Sequence, residues 1–393
     1  MVNVAVLGYG TIGSGVVTVL SQNRAIVKEH AGDDVLVSHV LDLRDFPGSP
    51  VEKVLTHNID DIIEDEDVDI VVEVMGGTRP AYDFVKRALE AGKSVVTSNK
   101  ALVAAYGPEL LQIAAENRVN FMFEASVGGG IPIIRPLLRC ITADEVLEIS
   151  GILNGTTNFI LTRMYNEGSD FDPTLKEAQG LGYAEADPTA DIEGHDPCRK
   201  IAILTSLVCG RFVDFEDIRC TGITGIAKED ITFAKALGKK IKLFGTSINK
   251  DGTVYAEVAP VMIGPEHPLY AVDDVMNAIM VKGNMLGDVM FYGAGAGSLP
   301  TASAVVSDII VEAKHLDQNI PVKMEPEKMV LGDISEICST YYVRLPKDTA
   351  PAFGVKQEIS LEAYPDHKAY LTDDISGKVA DAIKEAACII KLK

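Results

Sequence analysis

An apolar run, residues 1–7, ends at Gly8-Tyr9-Gly10-Thr11-Ile12-Gly13, and a second apolar stretch follows over residues 12–20. Strand, glycine turn and helix in that order constrain this chain more than any other feature. In a G-x-G-x-x-G turn the first glycine makes the bend and the second lets backbone approach a pyrophosphate. The third lets the helix pack close to the strand. The opening turn of the helix adds unpaired N–H donors and a partial positive charge. The turn at Gly8, Gly10, Thr11, Ile12 and Gly13 is therefore read as the cradle of a dinucleotide.

The next hundred residues agree with that reading. Apolar strand patterns at 35–43, 69–74, 94–97 and 120–124 alternate with helical patterns at 81–91 and 108–116. Strands that are apolar on both faces and separated by helices form a parallel sheet covered on both sides. Residues 1–135 are thus expected to be a Rossmann-type NAD(P)-binding domain. After the second strand, Asp42 could accept from a ribose hydroxyl and Arg44 could meet a 2′-phosphate. Both are present, so NAD and NADP stay open.

The pattern changes near residue 135. A longer strand (145–153), a helix (157–167), an acidic loop (183–196) and an apolar helix (197–209) lead into a meander of strands at 242–248, 253–263, 278–285 and 288–292. Residues 136–300 read as an α+β domain on its own sheet. A long helix, 301–316, opens a segment (301–338) that returns to the nucleotide domain. The remainder, 339–393, holds a strand at 341–345 and a closing amphipathic helix at 377–387.

Composition removes several classes of partner. Lys plus Arg total 36 against 57 Asp plus Glu, a net charge of −21, so nucleic acid and anionic membrane surfaces would be repelled. The six cysteines show no C-x-x-C spacing, which argues against a disulfide framework or a zinc site. No uncharged apolar run approaches the ~18 residues of a membrane span, and no signal-like leader opens the chain, so a cytoplasmic location is expected.

Two constellations carry chemistry. Asp196-Pro197 reads as a helix start, with Asp196 as N-cap, and Lys200 then lies in the first turn on the side of Ile203, Leu204 and Leu207. An apolar face and the positive helix end both favour the neutral amine, which suits proton transfer. The bland alternative is a lysine reaching out of a buried helix. Glu185, Asp187, Asp191 and Glu193 precede it and would ordinarily be a solvated loop. In the first domain, Lys100 follows a strand edge where ligands of open α/β sheets bind. Glu124 with the turn 127–131 could gather oxygens around a hard cation, or simply be a glycine turn between domains.

From residue 71 onward the chain resembles homoserine dehydrogenases, through VVEVMGG (71–77), SNKAL (98–102), EASVGGGIPII (124–134), GILNGTTNFILTRM (151–164), GLGYAEADPTADIEGHD (180–196) with Lys200 after it, and GAGAGSLPTASAVVSD (293–308). The resemblance spans about residues 1–338. It implies an NAD(P)-dependent interconversion of L-homoserine and L-aspartate 4-semialdehyde, with 136–300 as the substrate and dimerisation domain of a homodimer or larger homo-oligomer. It implies Lys200 as general acid/base, assisted by Lys100, with Asp196 and Glu185 contacting substrate. Lys100, Gly182 and Gly295 or Gly297 would contact the cofactor. Glu124, Val127, Gly129 and Ile131 would hold a sodium-like cation. Residues 341–353 echo the start of an ACT regulatory module, shortened here. The competing reading is a catalytically silent NAD(P)-sensing protein, which would have no need of Lys200. All of this requires Lys200, the acidic loop and the nucleotide to share one cleft.

Overall fold

Val2–Leu7 (β1) is buried at every position but Asn3, as a strand covered on both faces must be. In the computed structural model, which describes residues 1–316 and 318–393, β1 is central to a six-stranded sheet. On one side lie β2 (Val35–Leu41) and β3 (Leu55–Thr56). On the other lie β4 (Ile70–Glu73), β5 (Ser94–Thr97) and β6 (Phe121–Met122). Every neighbouring pair is parallel. The strand order reverses between β1 and β4, whose last residues, Leu7 and Glu73, are register partners. That reversal opens a crevice at the carboxyl ends of the strands, where ligands of such sheets bind.

The chain divides into two compact units. The first comprises Met1–Glu145, Ala202–Asp214 and Gly293–Met329, and contains this sheet. Helix Ser298–Ala313 belongs to its core through Ala302, Val305, Val306 and Ile309. It runs against helix Thr11–Gln22, where only a glycine fits at position 15. A Cβ there would lie 2.7 Å from Ser298 Oγ and 3.0 Å from the Ala302 methyl.

The second unit comprises Val146–Ile201, Phe215–Tyr292 and Val330–Lys393. Its sheet is built on β7 (Val146–Ile152), which pairs antiparallel with both Lys240–Lys250 and Met276–Gly283. Lys240–Lys250 pairs antiparallel with Thr253–Ile263, the meander expected from the alternating pattern. The sheet continues through Cys388–Leu392, Tyr341–Pro346, His367–Thr372 and Val355–Ile359. A buried ion pair ties this added portion to helix Lys228–Ala236. Arg344 Nε donates to Asp230 Oδ1 at 2.8 Å, and the Tyr342 hydroxyl donates to the same oxygen at 3.0 Å.

Four local expectations need correction. The helix expected over 108–116 begins at Lys100 and carries Pro108 inside it, because Asn99 caps it by accepting from Leu102 N at 3.1 Å. The strand expected over 120–124 is reduced to Phe121–Met122, and a helical turn, Ala125–Gly128, follows Glu124. The Asp-Pro helix starts earlier, at His195, since Gly194 at φ 85° ends the preceding turn. Asp196 therefore lies within the first turn and is not the N-cap. In the tail, the helix stops at Asp381, and Cys388–Leu392 is a strand paired on both sides. The helices Arg24–Ala31, Phe171–Gly180 and Lys228–Ala236 were not anticipated. Among the described residues, no helix is long and apolar enough to cross a membrane.

Candidate functional site

In the first unit the glycine turn has the geometry its sequence demanded. Gly8 adopts φ 97°, open to glycine at little cost. A Cβ on Gly13 would fall 1.9 Å from the Gly8 carbonyl oxygen, so helix and turn approach as closely as glycine allows. Gly10 and Thr11 are exposed, Ile12 is half-buried, and no side chain caps the helix that begins at Thr11. The opening N–H groups of that helix thus lack an internal acceptor, which is the chemistry of a phosphate cradle. These residues fit a bound dinucleotide.

Asp42 and Arg44, read as alternatives from sequence, form one unit. Asp42 Oδ2 accepts from Tyr9 N at 2.8 Å, fixing the turn, while the Arg44 guanidinium grips both carboxylate oxygens at 3.0 Å. The guanidinium holds the Asp42 carboxyl well below the usual carboxylate range. Arg44 itself remains exposed, with its guanidinium 5.1 Å from the Phe46 ring centroid.

At the ends of β4 and β5, sequence reasoning missed Glu73. It is fully buried, accepts from Thr97 Oγ1 at 2.6 Å and Met75 N at 2.8 Å, and lies 3.5 Å from Asn99 Nδ2. Burial pushes its carboxyl up. Asn99 also donates to Gly77 O at 2.6 Å while capping the helix that starts at Lys100. Glu73 and Asn99 thereby fix the loop after β4 and place Lys100, half-buried, at the first helical position. A glutamate inside an otherwise apolar, doubly covered strand was the available signal.

The Glu124 segment carries more structure than a cation site alone would need. Its Oε1 accepts from Ile133 N and Ile134 N at 2.6 and 2.8 Å. Its Oε2 accepts from Arg135 N at 2.7 Å and Arg135 Nε at 3.2 Å. Four donors saturate this carboxylate. A cation held by Glu124, Val127, Gly129 and Ile131 would therefore have to take their backbone oxygens. Gly129, at φ 56°, would place a Cβ 2.4 Å from Gly295 O, and Gly130 N donates to Ala294 O at 3.0 Å. Close packing against residues 293–297 accounts for these glycines. Gly295 is buried in that contact, whereas Gly297 is exposed at φ 111° ahead of helix Ser298–Ala313. Gly297 is thus the accessible one of the two.

In the second unit, Asp196 and Lys200 stand four residues apart on one helix face, 3% and 7% exposed. Lys200 Nζ donates to Asp196 Oδ2 at 2.9 Å and to Leu153 O, just after β7, at 2.7 Å. The sequence placed this amine at the positive end of the helix and against apolar neighbours. To these the structure adds a carboxylate and a carbonyl as hydrogen-bond partners. Asn154 caps helix Gly155–Glu167 by accepting from Thr157 N at 2.9 Å. Its amide also donates to Asp196 Oδ2 at 2.9 Å and Asp191 Oδ1 at 2.7 Å. Capping and site contact are thus combined in one side chain, and Asp191, from the acidic loop, joins the network.

Glu185 lies apart from these bonds, with an exposed side chain and a carbonyl that accepts from Gln179 Nε2 at 3.0 Å. Gly182, at φ 76°, ends helix Phe171–Gly180 in open space. Asp187 caps the turn at Thr189, accepting from its amide at 3.1 Å. Arranged this way, the second unit offers a buried, positioned proton donor beside an amide and two carboxylates. The first offers an anion cradle and a lysine at a helix start.

Comparison with known proteins bears on both. Residues 8–124 match the family model for the homoserine dehydrogenase NAD-binding domain, and residues 132–310 match the model for homoserine dehydrogenase. The chain is 45% identical to a Bacillus subtilis homoserine dehydrogenase, over 80% of this chain and 73% of that protein. It is 39% identical to one from Neisseria gonorrhoeae, over 92% and 87% respectively. The solved structure of a Thiobacillus denitrificans homoserine dehydrogenase superposes with a TM-score of 0.87 at 35% identity, covering 100% of this chain and 98% of that one. A hyperthermophilic archaeal homoserine dehydrogenase in complex with NADPH gives 0.70 at 29% identity, covering 82% and 99%.

Proposed function

The chain belongs to the homoserine dehydrogenase family, and from that premise we propose which of its residues perform the chemistry. It is an NAD(P)-dependent oxidoreductase that interconverts L-homoserine and L-aspartate 4-semialdehyde. Reduction requires a hydride at the aldehyde carbon and a proton on its oxygen, and the nicotinamide cofactor supplies the hydride when bound.

Lys200 is the proton donor to the nascent alkoxide, and takes that proton back when homoserine is oxidised. The observation that carries this assignment is the buried Lys200–Asp196 pair, oriented by Leu153 O and Asn154. An ammonium so held donates along a fixed direction, which is what general acid catalysis needs. Asp196 positions the amine and contacts substrate, and Asn154 and Asp191 hold Asp196. Glu185, exposed on its loop, meets the substrate ammonium. Lys100, at the first position of its helix, assists the proton transfer.

The cofactor rests on Gly8, Gly10, Thr11, Ile12 and Gly13, with Gly182 and Gly297 approaching the nicotinamide end. Arg44 decides between NAD and NADP. The relative solved with NADPH favours the phosphorylated form, for which Arg44 would exchange Asp42 for the 2′-phosphate. A sodium-like cation at 124–131 would be held by backbone carbonyls, since the Glu124 carboxylate is saturated. Such a weak, oxygen-only site suits a monovalent ion. Activity in sodium buffer that persists unchanged in choline buffer would remove it. The enzyme is assigned to the cytoplasm as a homodimer, and a single-chain species in sedimentation would refute the dimer.

Lys200→Ala tests the central claim. Turnover in homoserine oxidation is expected to fall by about 10²–10⁴-fold, the usual worth of a general acid, while nucleotide binding persists. Unchanged turnover would take Lys200 out of the mechanism.

A further inference from the structure

Apart from the Lys200 network, the second unit holds a cavity of about 150 Å³ against β7. Cavities of that size accommodate a benzene-sized molecule, so on the order of six to eight non-hydrogen atoms fit. Its wall is largely aliphatic, with Met280 among its residues, and it carries polar groups of both signs. Ser150 and Glu148 come from β7, Lys282 from the neighbouring strand Met276–Gly283, and Asp288 from Gly287–Ala294. His267 and Lys393 close the rim.

Two features set this cavity apart from a chance gap between charged side chains. The Ser150 hydroxyl is buried, in a residue only 1% exposed, and has no hydrogen-bond partner among the described residues. A buried hydroxyl left unmet costs about 1–3 kcal/mol, which a ligand's acceptor would recover. His267 has a defined tautomer. Its Nδ1 accepts from Leu269 N at 3.1 Å, so the neutral ring carries its proton on Nε2 as a donor. Burial lowers the pKa of His267 and the nearby Lys393 lowers it further, so that neutral form prevails at pH 7.

The charges then sort themselves. Glu148 is already paired with Lys393. Lys282, opposite Glu148 in the strand register, and Asp288 are exposed at the mouth and carry opposite signs. A ligand with one charge would meet a repelling group at one end, whereas a ligand with both charges separated would satisfy each.

We propose that this cavity binds a small zwitterionic α-amino acid. Its carboxylate faces Ser150 Oγ, His267 Nε2 and Lys282, and its ammonium faces Asp288. The residues concerned are separate from Lys200, Asp196 and Asn154, so occupancy does not depend on the catalytic assignment.

Calorimetric titration of the full-length enzyme with L-alanine, L-serine and L-threonine tests the proposal. Ethanolamine and L-lactate, each lacking one of the two charges, serve as controls. At least one amino acid is expected to bind saturably, with both controls weaker by tenfold or more. Lys282→Ala and Asp288→Asn, both at exposed positions, should each weaken that binding at least tenfold and leave the KM for homoserine unchanged. Three results would overturn the proposal: no saturable binding at millimolar concentrations, lactate binding as well as the amino acid, or binding indifferent to both substitutions. The last would place the amino acid in the catalytic site.

Discussion

Replacing Glu312 with Gln should remove the pH dependence that this residue imposes on stability. Glu312 is fully buried in helix Ser298–Ala313, and its Oε2 accepts from Asn120 Nδ2 at 3.0 Å. Burial pushes its carboxyl from 4.5 up to about 8. Because the folded-state value is raised, the native protein holds a proton that the unfolded chain releases above pH ~4.5. The stabilisation is complete below that pH and is lost as pH climbs toward 8, at ~1.4 kcal/mol per pH unit. Over the whole interval the loss is roughly 5 kcal/mol by this linkage. Gln keeps an acceptor for Asn120, never ionises, and offers two donors where the protonated acid has one, at a cost of about 1–3 kcal/mol if unmet. At pH 5.5 the variant should therefore be the less stable protein. Between pH 5.5 and 7.5 the difference should move in its favour by roughly 3 kcal/mol, two pH units at ~1.4 each. Urea unfolding followed by far-ultraviolet circular dichroism reads this directly, since the chain lacks tryptophan. Asp308, buried one turn earlier and raised to about 7, titrates in the same window and is present in both proteins. Only the difference between the two profiles therefore reports on Glu312. Parallel profiles across that range would refute the reasoning.

Arg44→Ala should raise the KM for NADP by about tenfold, the value of one charge-assisted contact, and change that for NAD little. Equal effects on both cofactors in steady-state assays would remove Arg44 from the choice between them. Arg344→Met leaves the wholly buried Asp230 carboxylate without its cation, and should destabilise the protein by about 3–5 kcal/mol. An unchanged thermal midpoint would show that the tail does not depend on this pair.

The parallel sheet was legible because strands buried on both faces leave a continuous apolar record, and β1, β4 and β5 needed no more than that. Boundaries were less legible where two local signals competed. Pro108 suggested a helix start, yet the helix begins at Lys100, eight residues earlier, capped by Asn99. A proline breaks one hydrogen bond of a helix whose other face is already held by packing, and tertiary burial outweighs that loss. Asp196-Pro197 likewise suggested a cap, while Gly194, free to adopt a positive φ, ended the previous turn sooner. In the tail, the alanine-rich stretch before Cys388 argued for helix. The pairing of Cys388–Leu392 with two neighbours decided otherwise, and no local pattern encodes partners so distant in sequence.

The candidate site divides along the same line. Asp196 and Lys200 share a helix face, so an i, i+4 spacing was enough to bring them together. Asn154 lies 42 residues before Asp196 and reached the site only because β7 ends where helix His195–Cys209 begins its second turn. The sequence suggested a cap with some cleft contact, but it could not name Asp196 and Asp191 as the partners. Glu185 was selected by the family resemblance rather than by spacing, and the structure leaves it exposed on the loop. A carboxylate so placed costs nothing to keep charged and is poorly fixed in direction. Its contribution to binding a substrate ammonium therefore depends on the loop ordering around the ligand, whereas Asp196 is held before any ligand arrives. The two carboxylates should accordingly differ in kind: loss of Glu185 should act chiefly on KM, and loss of Asp196 chiefly on kcat.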